Sequence, residues 1–245
     1  MKFAGIIAEY DPFHNGHAWQ LAQAKALGAE RVAVAMSCSL VQRGALPLLP
    51  EAVRTRSALT CGADLVFALP APCACAGAEA FARAGVALLA AAECDGLVFG
   101  AETPDAALLM EAAELLDSDS YRAALKAQLA GGARSFAAAR QAAAAQLASD
   151  ERVAALLDKP NNNLAVEYCR AIRSLAPRME AYPLPRQGAN HGEALHSAHG
   201  QFASASALRK LWAEGGADAV APYVPEAVFP LYQEAYAAGQ YTDFS

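Results

Sequence analysis

The chain has 245 residues, a formal net charge of −6 and 55% apolar residues, many of them alanine. This composition excludes intrinsic disorder and a chain-wide basic surface of the kind that nucleic-acid-binding domains usually carry. No apolar run reaches the ~18–20 residues that a membrane-spanning helix needs. Glu9 and Asp11 interrupt the N-terminal apolar segment too early for a secretion signal, so we expect a cytoplasmic protein with no membrane partner.

The first hundred residues alternate between strand and helix patterns. Short apolar runs predict strands at Phe3–Glu9, Arg31–Ser37, Asp64–Leu69 and Asp95–Gly100. The stretches between them predict helices at His17–Leu27, Glu51–Cys61 and Gly77–Glu93. Continuous apolar strands separated by helices indicate a parallel sheet covered on both faces. The predicted fold class is a doubly wound α/β sheet, in which ligands bind at the carboxyl ends of the strands.

The pattern changes after residue 103. Residues 104–158 carry consecutive helical patterns, including Asp117–Gly131 and Arg134–Ala148, and we expect a helical insertion there. Residues 159–214 are expected to complete the α/β core, and residues 215–245 to form a C-terminal helical segment. The elements predicted for the completed core are a helix at Asn161–Leu175, a strand at Met179–Leu184, a loop at Gln187–Gln201 and a helix at Ser204–Glu214 that Gly215-Gly216 ends.

The strongest functional signal is Pro12–His17, which joins the first predicted strand to the first predicted helix. Backbone N–H groups at a helix N-terminus favour phosphate, and Gly16 lets a nucleotide approach the backbone closely. His14 and His17, three residues apart, can both face a triphosphate and donate hydrogen bonds to the charge that develops at the α-phosphate. We therefore predict a nucleotide site at this turn, with the two histidines as catalytic residues.

A second phosphate-binding element is predicted at Ala203–Arg209. Ser204 or Ser206 can cap a helix whose N-terminus faces the same phosphates, and Arg209 offers a guanidinium fork to them. Arg43, after the second strand, is a further candidate for contact with phosphate groups of a nucleotide or a nucleic acid. Glu9 can orient a histidine or hold Mg²⁺, or it can cap local backbone groups.

Other polar and sulfur-containing residues favour structural interpretations. The six cysteines lie in apolar settings without zinc spacing, and the histidines and Glu193 of the polar loop are spaced too loosely for a metal site, so we predict no metal ligands. That loop could still close over a bound nucleotide. Trp19 and Trp212 indicate helix packing. The arginines of the insertion are dilute among alanines and acids, which indicates a solvated face: Arg134, Arg140 and Arg152.

These residues together resemble the bacterial tRNA(Met) cytidine acetate ligases, nucleotidyltransferase-like proteins of the HUP superfamily. The resemblance starts at Ala8–His17 (AEYDPFHNGH) and spans nearly the whole chain in order. It continues through Met36-Ser37, Val41–Gly44, Phe99–Glu102, Pro160–Asn162 with Glu167-Tyr168, Arg186 and Ser204–Arg209. It implies ATP-dependent activation of acetate to acetyl-adenylate, followed by acetyl transfer to the wobble cytidine of elongator tRNA(Met). ATP is then a substrate, with Mg²⁺ as its expected companion.

The resemblance also implies a set of site residues. Gly100 borders the nucleoside, one of Asn161 or Asn162 completes the nucleotide site with Arg186, and Ser206 and Arg209 match the second phosphate motif. Arg209 joins the two histidines as a catalytic residue. The segment 7–20 forms the ATP cradle, in which the implied contacts are Ile7, Ala8, Glu9, Tyr10, Phe13, His14, Gly16, His17 and Gln20.

Departures from the family pattern keep other functions open. The family has Asn where Asp11 stands and Gly-Asn where Cys38-Ser39 stands. It has an acidic residue followed by an Asp-Lys pair where Ala45–Glu51 stands. A missing lysine removes a donor that would stabilise phosphate charge. The alternatives are an adenylyltransferase acting on a small phosphorylated acceptor and a nucleotide-binding relative without catalysis. Family chains also run well beyond residue 245, so residues 215–245 are expected to begin a region that is absent here.

Overall fold

A computed structural model describes residues 1–186, 195–197 and 200–243. Its centre is a five-stranded parallel sheet in the order β3-β2-β1-β4-β5. The strands are β1 (Phe3–Ala8), β2 (Arg31–Ser37), β3 (Leu65–Leu69), β4 (Gly96–Ala101) and β5 (Glu180–Pro185). The chain runs outward from β1 to β3 and then crosses to the other side of β1. The carboxyl ends of β1 and β4 therefore flank the switch point at which sheets of this class bind ligands.

Helices cover both faces of this sheet. The first part of the chain forms α1 (Asn15–Ala26), α2 (Glu51–Thr60), α3 (Ala71–Ala74) and α4 (Ala78–Ala91). The middle part forms α5 (Ala106–Asp117), α6 (Asp119–Ala130), α7 (Phe136–Leu147), α8 (Glu151–Leu156) and α9 (Pro160–Leu175). A short antiparallel pair, β6 (Leu195–Ser197) and β7 (Gly200–Phe202), precedes α10 (Ala205–Val220) and α11 (Phe229–Ala237). No helix of the described ranges is both long and apolar enough to cross a bilayer.

Alternate residues of the central strands feed two hydrophobic cores. Ile7 and Ala35 pack with α4, α5 and α9 on one face of the sheet. Ile6 and Val34 pack with α1, α2, α10 and α11 on the other face. Because strand side chains alternate between faces, an apolar run without polar interruptions is what a sheet covered on both faces requires. The helices of residues 106–156 share the first core with the sheet.

The predicted fold class is confirmed, and the differences are local. Ser118 caps α6 and separates it from α5 inside the stretch predicted as one helix from residue 117. The prediction that Gly215-Gly216 ends a helix was wrong in part, because helix continues to Val220 beyond a kink at Gly216, whose φ is +68°. The loop predicted at 187–201 contains β6 and the start of β7 in its described part. The division of the chain at residues 103, 158 and 214 remains a prediction.

Candidate functional site

A cavity of about 260 Å³ lies at the carboxyl ends of β1, β4 and β5. The N-terminal turn of α1, the first turns of α9 and the start of α10 form the rest of its wall. Its lining comprises Ile7, His14, Gly16, His17, Trp19, Gln20, Phe99, Gly100, Asn161, Leu164, Tyr168, Leu184, Pro185, Arg186 and Ala205. Residues that are nearly 200 positions apart in the chain thus meet at the switch point of the sheet.

The two histidines of the Pro12–His17 turn stack on each other. Their ring centroids are 3.7 Å apart, with an interplanar angle of 21°. His14 is the N-cap of α1, and its Nδ1 accepts a hydrogen bond of 3.0 Å from the Gly16 N–H. The Nδ1 of His17 in turn accepts one of 3.3 Å from the His14 N–H. The turn therefore fixes both rings through its own backbone.

These hydrogen bonds determine the tautomer of each histidine. A neutral imidazole whose Nδ1 accepts a hydrogen bond carries its proton on Nε2. Burial, followed by the neighbouring Arg186, lowers the pKa of His14 to about 3. Burial also lowers the pKa of His17 well below its usual value, with smaller contributions from His14 and Arg186. Both rings are therefore neutral near pH 7 and offer an Nε2–H donor that makes no hydrogen bond within the described residues.

Gly16 leaves room for this stacked pair. A Cβ at this position would lie 2.9 Å from Cε1 of His14, closer than carbon atoms approach in proteins. Any side chain here would push the His14 ring away from its cap. Close approach by a nucleotide is the role predicted for this glycine from the sequence. The space that the imidazole occupies is a second reason for a glycine at this position.

The opposite wall of the cavity is built from β4, β5 and α9. Gln20 reaches across from α1 and donates a 3.1 Å hydrogen bond to the carbonyl of Val98. Gly100 lies next to Arg186, which directly follows β5 and lines the cavity as an exposed cation. Asn161 also lines the cavity, and its side-chain amide donates to the Glu102 carboxylate at 2.6 Å.

Asn162 points elsewhere. Its side chain accepts from the Thr103 N–H at 2.9 Å and donates to the Thr103 hydroxyl, and it is buried. Of the two asparagines between which the sequence left the choice open, Asn161 is the one at the cavity. Asn162 instead fixes the start of α9 against the end of β4.

Arg209 lies beside the cavity without lining it. Its Nη1 donates to the main-chain oxygen of Asp11 at 2.6 Å and to the Asp11 carboxylate at 3.0 Å. The same carboxylate accepts the Leu48 N–H at 2.6 Å. Asp11 therefore joins the histidine turn, α10 and the Ala45–Glu51 segment that departs from the family pattern. Leu48 and Leu49 are fully buried, so the middle of this segment belongs to the core, whereas Leu46 is exposed.

Several residues of the expected ATP cradle support the cavity from behind. Tyr10 and Phe13 are buried and contact the His17 ring edge-on and at a tilt, with centroid distances of 4.8 and 5.6 Å.

Ala8 is also buried, and the carboxylate of Glu9 accepts the Gln42 N–H at 2.6 Å. Burial is the largest cause of the raised pKa of Glu9. Ser206 shares a hydrogen bond with Ser204, the N-cap of α10. The roles implied for these residues remain predictions.

Sequence reasoning missed most of the apolar wall. Trp19 was assigned to helix packing, but its half-buried ring also lines the cavity. Tyr168 was singled out only through the resemblance, and Leu164 not at all. The spacing of Asn161, Leu164 and Tyr168 along α9 places them on one helical face, which is the signal that could have found them. Trp212, by contrast, is buried in the core as predicted.

No metal site is recognisable in the described part of the chain. Within residues 1–186, 195–197 and 200–243 there is no group of three or more histidine, cysteine, aspartate or glutamate residues that could hold an ion. Two of the loop histidines, His191 and His199, lie outside the described residues, as does Glu193. The cysteines are free thiols, and Cys38, Cys94 and Cys169 are buried.

Comparison with known proteins identifies a family and relatives that match most of the chain. The family model described as HIGH Nucleotidyl Transferase matches residues 1–245. The tRNA(Met) cytidine acetate ligase of Syntrophotalea carbinolica is 40% identical over 218 residues, which are 88% of this chain and 52% of the relative. That of Caldanaerobacter subterraneus subsp. tengcongensis is 35% identical over 244 residues, 98% of this chain and 60% of the relative. The chain thus spans a little over half the length of these relatives.

Solved structures show the same partial match. A crystal structure of Thermotoga maritima TmcAL bound with alpha-thio ATP has a TM-score of 0.87 and 30% identity, covering 98% of this chain and 57% of that one. The apo form has a TM-score of 0.90 and 31% identity, covering 98% and 58%. The resemblance inferred from the motifs is confirmed. The chain belongs to the HIGH nucleotidyl transferase family, within which it is similar to the tRNA(Met) cytidine acetate ligases.

Proposed function

We propose that this chain carries the nucleotide site of an ATP-dependent acetate ligase. In the first step a carboxylate oxygen of acetate attacks the α-phosphorus of ATP, the bond to the bridging oxygen breaks and pyrophosphate leaves. In the second step the exocyclic amine of the wobble cytidine of elongator tRNA(Met) attacks the acetyl carbon. AMP leaves with the carboxylate oxygen, and the amine loses a proton.

The observation that carries this proposal is the pair of neutral, stacked imidazoles at the switch point of the sheet. Adenylation needs no covalent bond to the protein, because positioning and charge stabilisation supply most of the catalysis of phosphoryl transfer. The Nε2–H donors of His14 and His17 are suited to the negative charge that develops on the phosphates. The similarity to tRNA(Met) cytidine acetate ligases, and the ATP analogue bound in the TmcAL structure, support the same chemistry.

Two arginines supply positive charge near the histidines. Arg186 lines the cavity directly, and Arg209 is held beside it by Asp11. Arg209 uses only Nη1 for Asp11, so Nε and Nη2 remain as donors for a phosphate. Together they offset part of the charge that the missing lysine would have neutralised.

Mg²⁺ fits this arrangement as an ion that arrives with the triphosphate. Magnesium usually keeps several waters and binds through substrate phosphates with one or two carboxylates. Glu9 is the carboxylate that the sequence offers for this ion, and the Gln42 N–H already occupies one of its oxygens. The proposed setting for the reaction is the cytoplasm, where tRNA and ATP are both present.

Pyrophosphate exchange into ATP tests the proposal. We expect exchange that depends on acetate, and we expect His14→Ala and His17→Ala each to lower it by about 10²–10³-fold, the usual effect of removing one charge-stabilising donor. Lys25→Ala, in the last turn of the same helix α1, is the matched control and should exchange normally. Near-normal exchange in both histidine variants would remove them from the mechanism.

The same assay separates the alternatives that the sequence left open. Exchange that requires a small phosphorylated molecule instead of acetate would identify an adenylyltransferase. ATP binding without exchange under either condition would identify a nucleotide-binding relative without catalysis. Trp19 lines the cavity, so its fluorescence provides a binding signal that does not depend on turnover.

A further inference from the structure

The cavity at His14 and His17 is the proposed nucleotide site and is named the nucleotide cavity. A second and larger cavity, of about 500 Å³, lies on the other side of α9. Four arginines from four different helices line it, together with two glutamates. The arginines are Arg83 of α4, Arg122 of α6, Arg140 of α7 and Arg170 of α9. Residue spacing does not reveal this cluster, because its members are spread over almost ninety residues. Arg140 in particular was expected on a solvated face, yet its side chain is only 17% exposed.

A buried carboxylate holds two of these arginines in place. Glu167, only 2% exposed, accepts from Arg140 and from Arg170 at 2.7 Å each, through different oxygens. Arg170 also contacts Asp117 at 2.8 Å and Glu79 at 3.6 Å. A guanidinium has five N–H donors, so each arginine keeps donors beyond those pairs. Arg140 and Arg170 therefore form a base of the cavity that carboxylates hold in place, and their guanidinium groups keep unused N–H donors.

The rim of the cavity is more exposed. Arg83 donates only to the neutral Ser174 hydroxyl, at 3.0 Å, and forms no ion pair within the described residues. Arg122 is 65% exposed and pairs with the fully solvated Asp119, a contact of little energetic value. Phe136, also on the rim, is 60% exposed. An exposed aromatic ring among arginines is the combination on which unpaired RNA bases stack while phosphates are neutralised.

The position of this cavity relative to the nucleotide site suggests what would occupy it. Asn161, Leu164 and Tyr168 on one side of α9 line the nucleotide cavity, whereas Glu167 and Arg170 on the other side line the arginine cavity. A helix with its side chains is only ~10–12 Å across. Side chains on the two sides of α9 are therefore separated by about one helix diameter, a distance that a few consecutive nucleotides span.

We propose that the arginine cavity binds the phosphate backbone and one unpaired base of the tRNA loop that carries the reactive cytidine. This inference rests on the proposed function, since it assumes an RNA substrate. Arg83 and Arg122 contact phosphates, Phe136 stacks on a base, and Arg140 and Arg170, fixed by Glu167, form the floor.

The test measures the affinity of the chain for an unmodified elongator tRNA(Met) transcript at several salt concentrations. The variants are Arg83→Gln, Arg122→Gln and Phe136→Ala, since these exposed positions leave the buried Glu167 paired. Each arginine variant is expected to reduce the slope of log K against log salt by about 0.7–0.9, the loss of one phosphate contact. Phe136→Ala is expected to weaken binding about 5- to 150-fold, the usual range for one stacked base. Arg56→Gln, on the exposed face of α2, is the matched control and should leave both quantities unchanged.

Other outcomes overturn the inference. Unchanged tRNA affinity in all three variants would do so, as would equal losses of tRNA binding and of acetate-dependent pyrophosphate exchange, which would indicate a folding defect. Inorganic phosphate that binds at the arginines without competing with tRNA would assign the cavity to a small anion instead. If the unsubstituted chain exchanges pyrophosphate but does not bind tRNA, the arginine cavity loses its proposed ligand while the adenylation proposal stands.

Discussion

Arg54 provides a direct test of how the site is held together. It is fully buried in α2, and its guanidinium donates to four main-chain carbonyls. Nε donates to Leu49 at 3.0 Å, Nη1 to Glu9 at 2.7 Å and to Ser37 at 2.6 Å, and Nη2 to Cys38. These carbonyls belong to the end of β2, to the residues that directly follow β1 and β2, and to the 45–50 segment, so one side chain joins three parts of the backbone.

We expect Arg54→Lys to destabilise the fold while keeping the positive charge. An ammonium lacks the planar fork and cannot reach carbonyls on several sides at once. If two of the four hydrogen bonds are lost, each worth about 1.5–3 kcal/mol for a charged donor, the free energy of unfolding falls by about 3–6 kcal/mol. For a chain of this size that corresponds to a decrease in Tm on the order of 10 °C.

Thermal unfolding followed by circular dichroism measures this effect. Arg56→Lys is the control, because Arg56 lies on the same helix but is exposed and contacts only Glu234, at 3.9 Å. Its Tm should stay close to that of the parent protein. If the Tm of Arg54→Lys lies within 2 °C of that of Arg56→Lys, the free energies of unfolding differ by on the order of 1 kcal/mol or less. The contact with four carbonyls would then contribute little to the stability of the fold.

Three further predictions concern the residues around the nucleotide cavity. Asp11→Ala and Arg209→Ala should each weaken ATP binding. Because Asp11 acts by positioning that arginine, the double variant should bind ATP no worse than Arg209→Ala does. Additive losses of affinity in fluorescence titrations would contradict this. Gly85→Ala should lower the Tm and the ATP affinity, because its Cβ would lie 2.6 Å from the side chain of Ile7 in the cavity wall. Unchanged values would show that Ile7 can shift without a cost in stability or binding. Because the pKa of His14 in the folded chain is lowered to about 3, acidification below pH 6.5 protonates the unfolded chain first. Urea unfolding at pH 7 and pH 5 should then show a larger loss of stability for the parent than for His14→Gln, and equal losses would contradict the buried, neutral imidazole.

The sequence was most informative where one local pattern determines the structure. The apolar run Arg31–Ser37 was predicted with both of its ends, because both faces of β2 are buried and no other element fits so short an uninterrupted run. The strand–turn–helix position of His14 and His17 was likewise readable, since the turn and its cap are made by neighbouring residues.

The sequence was least informative where distant segments meet. Trp19 has the spacing of a packing residue, and only the arrival of β4, β5 and α9 places it in a cavity wall. Arg54 looks like a surface charge of an amphipathic helix until the carbonyls behind β1 and β2 surround it. Arg140 depends on Glu167, which lies 27 residues away on another helix. Such contacts follow from the topology of the sheet, which residue spacing along the chain does not encode.

The cap that His14 places on α1 has a consequence for selectivity. The Gly16 N–H already has an acceptor in the His14 imidazole, so a phosphate that approaches this helix end competes with an internal partner. When a ligand replaces the imidazole as acceptor, the number of hydrogen bonds stays nearly constant. The favourable free energy of binding must then come from the charge of the ligand. A neutral nucleoside gains little from displacing the ring, whereas a polyanion gains much. The turn therefore selects ligands that carry negative charge over neutral ligands of similar shape.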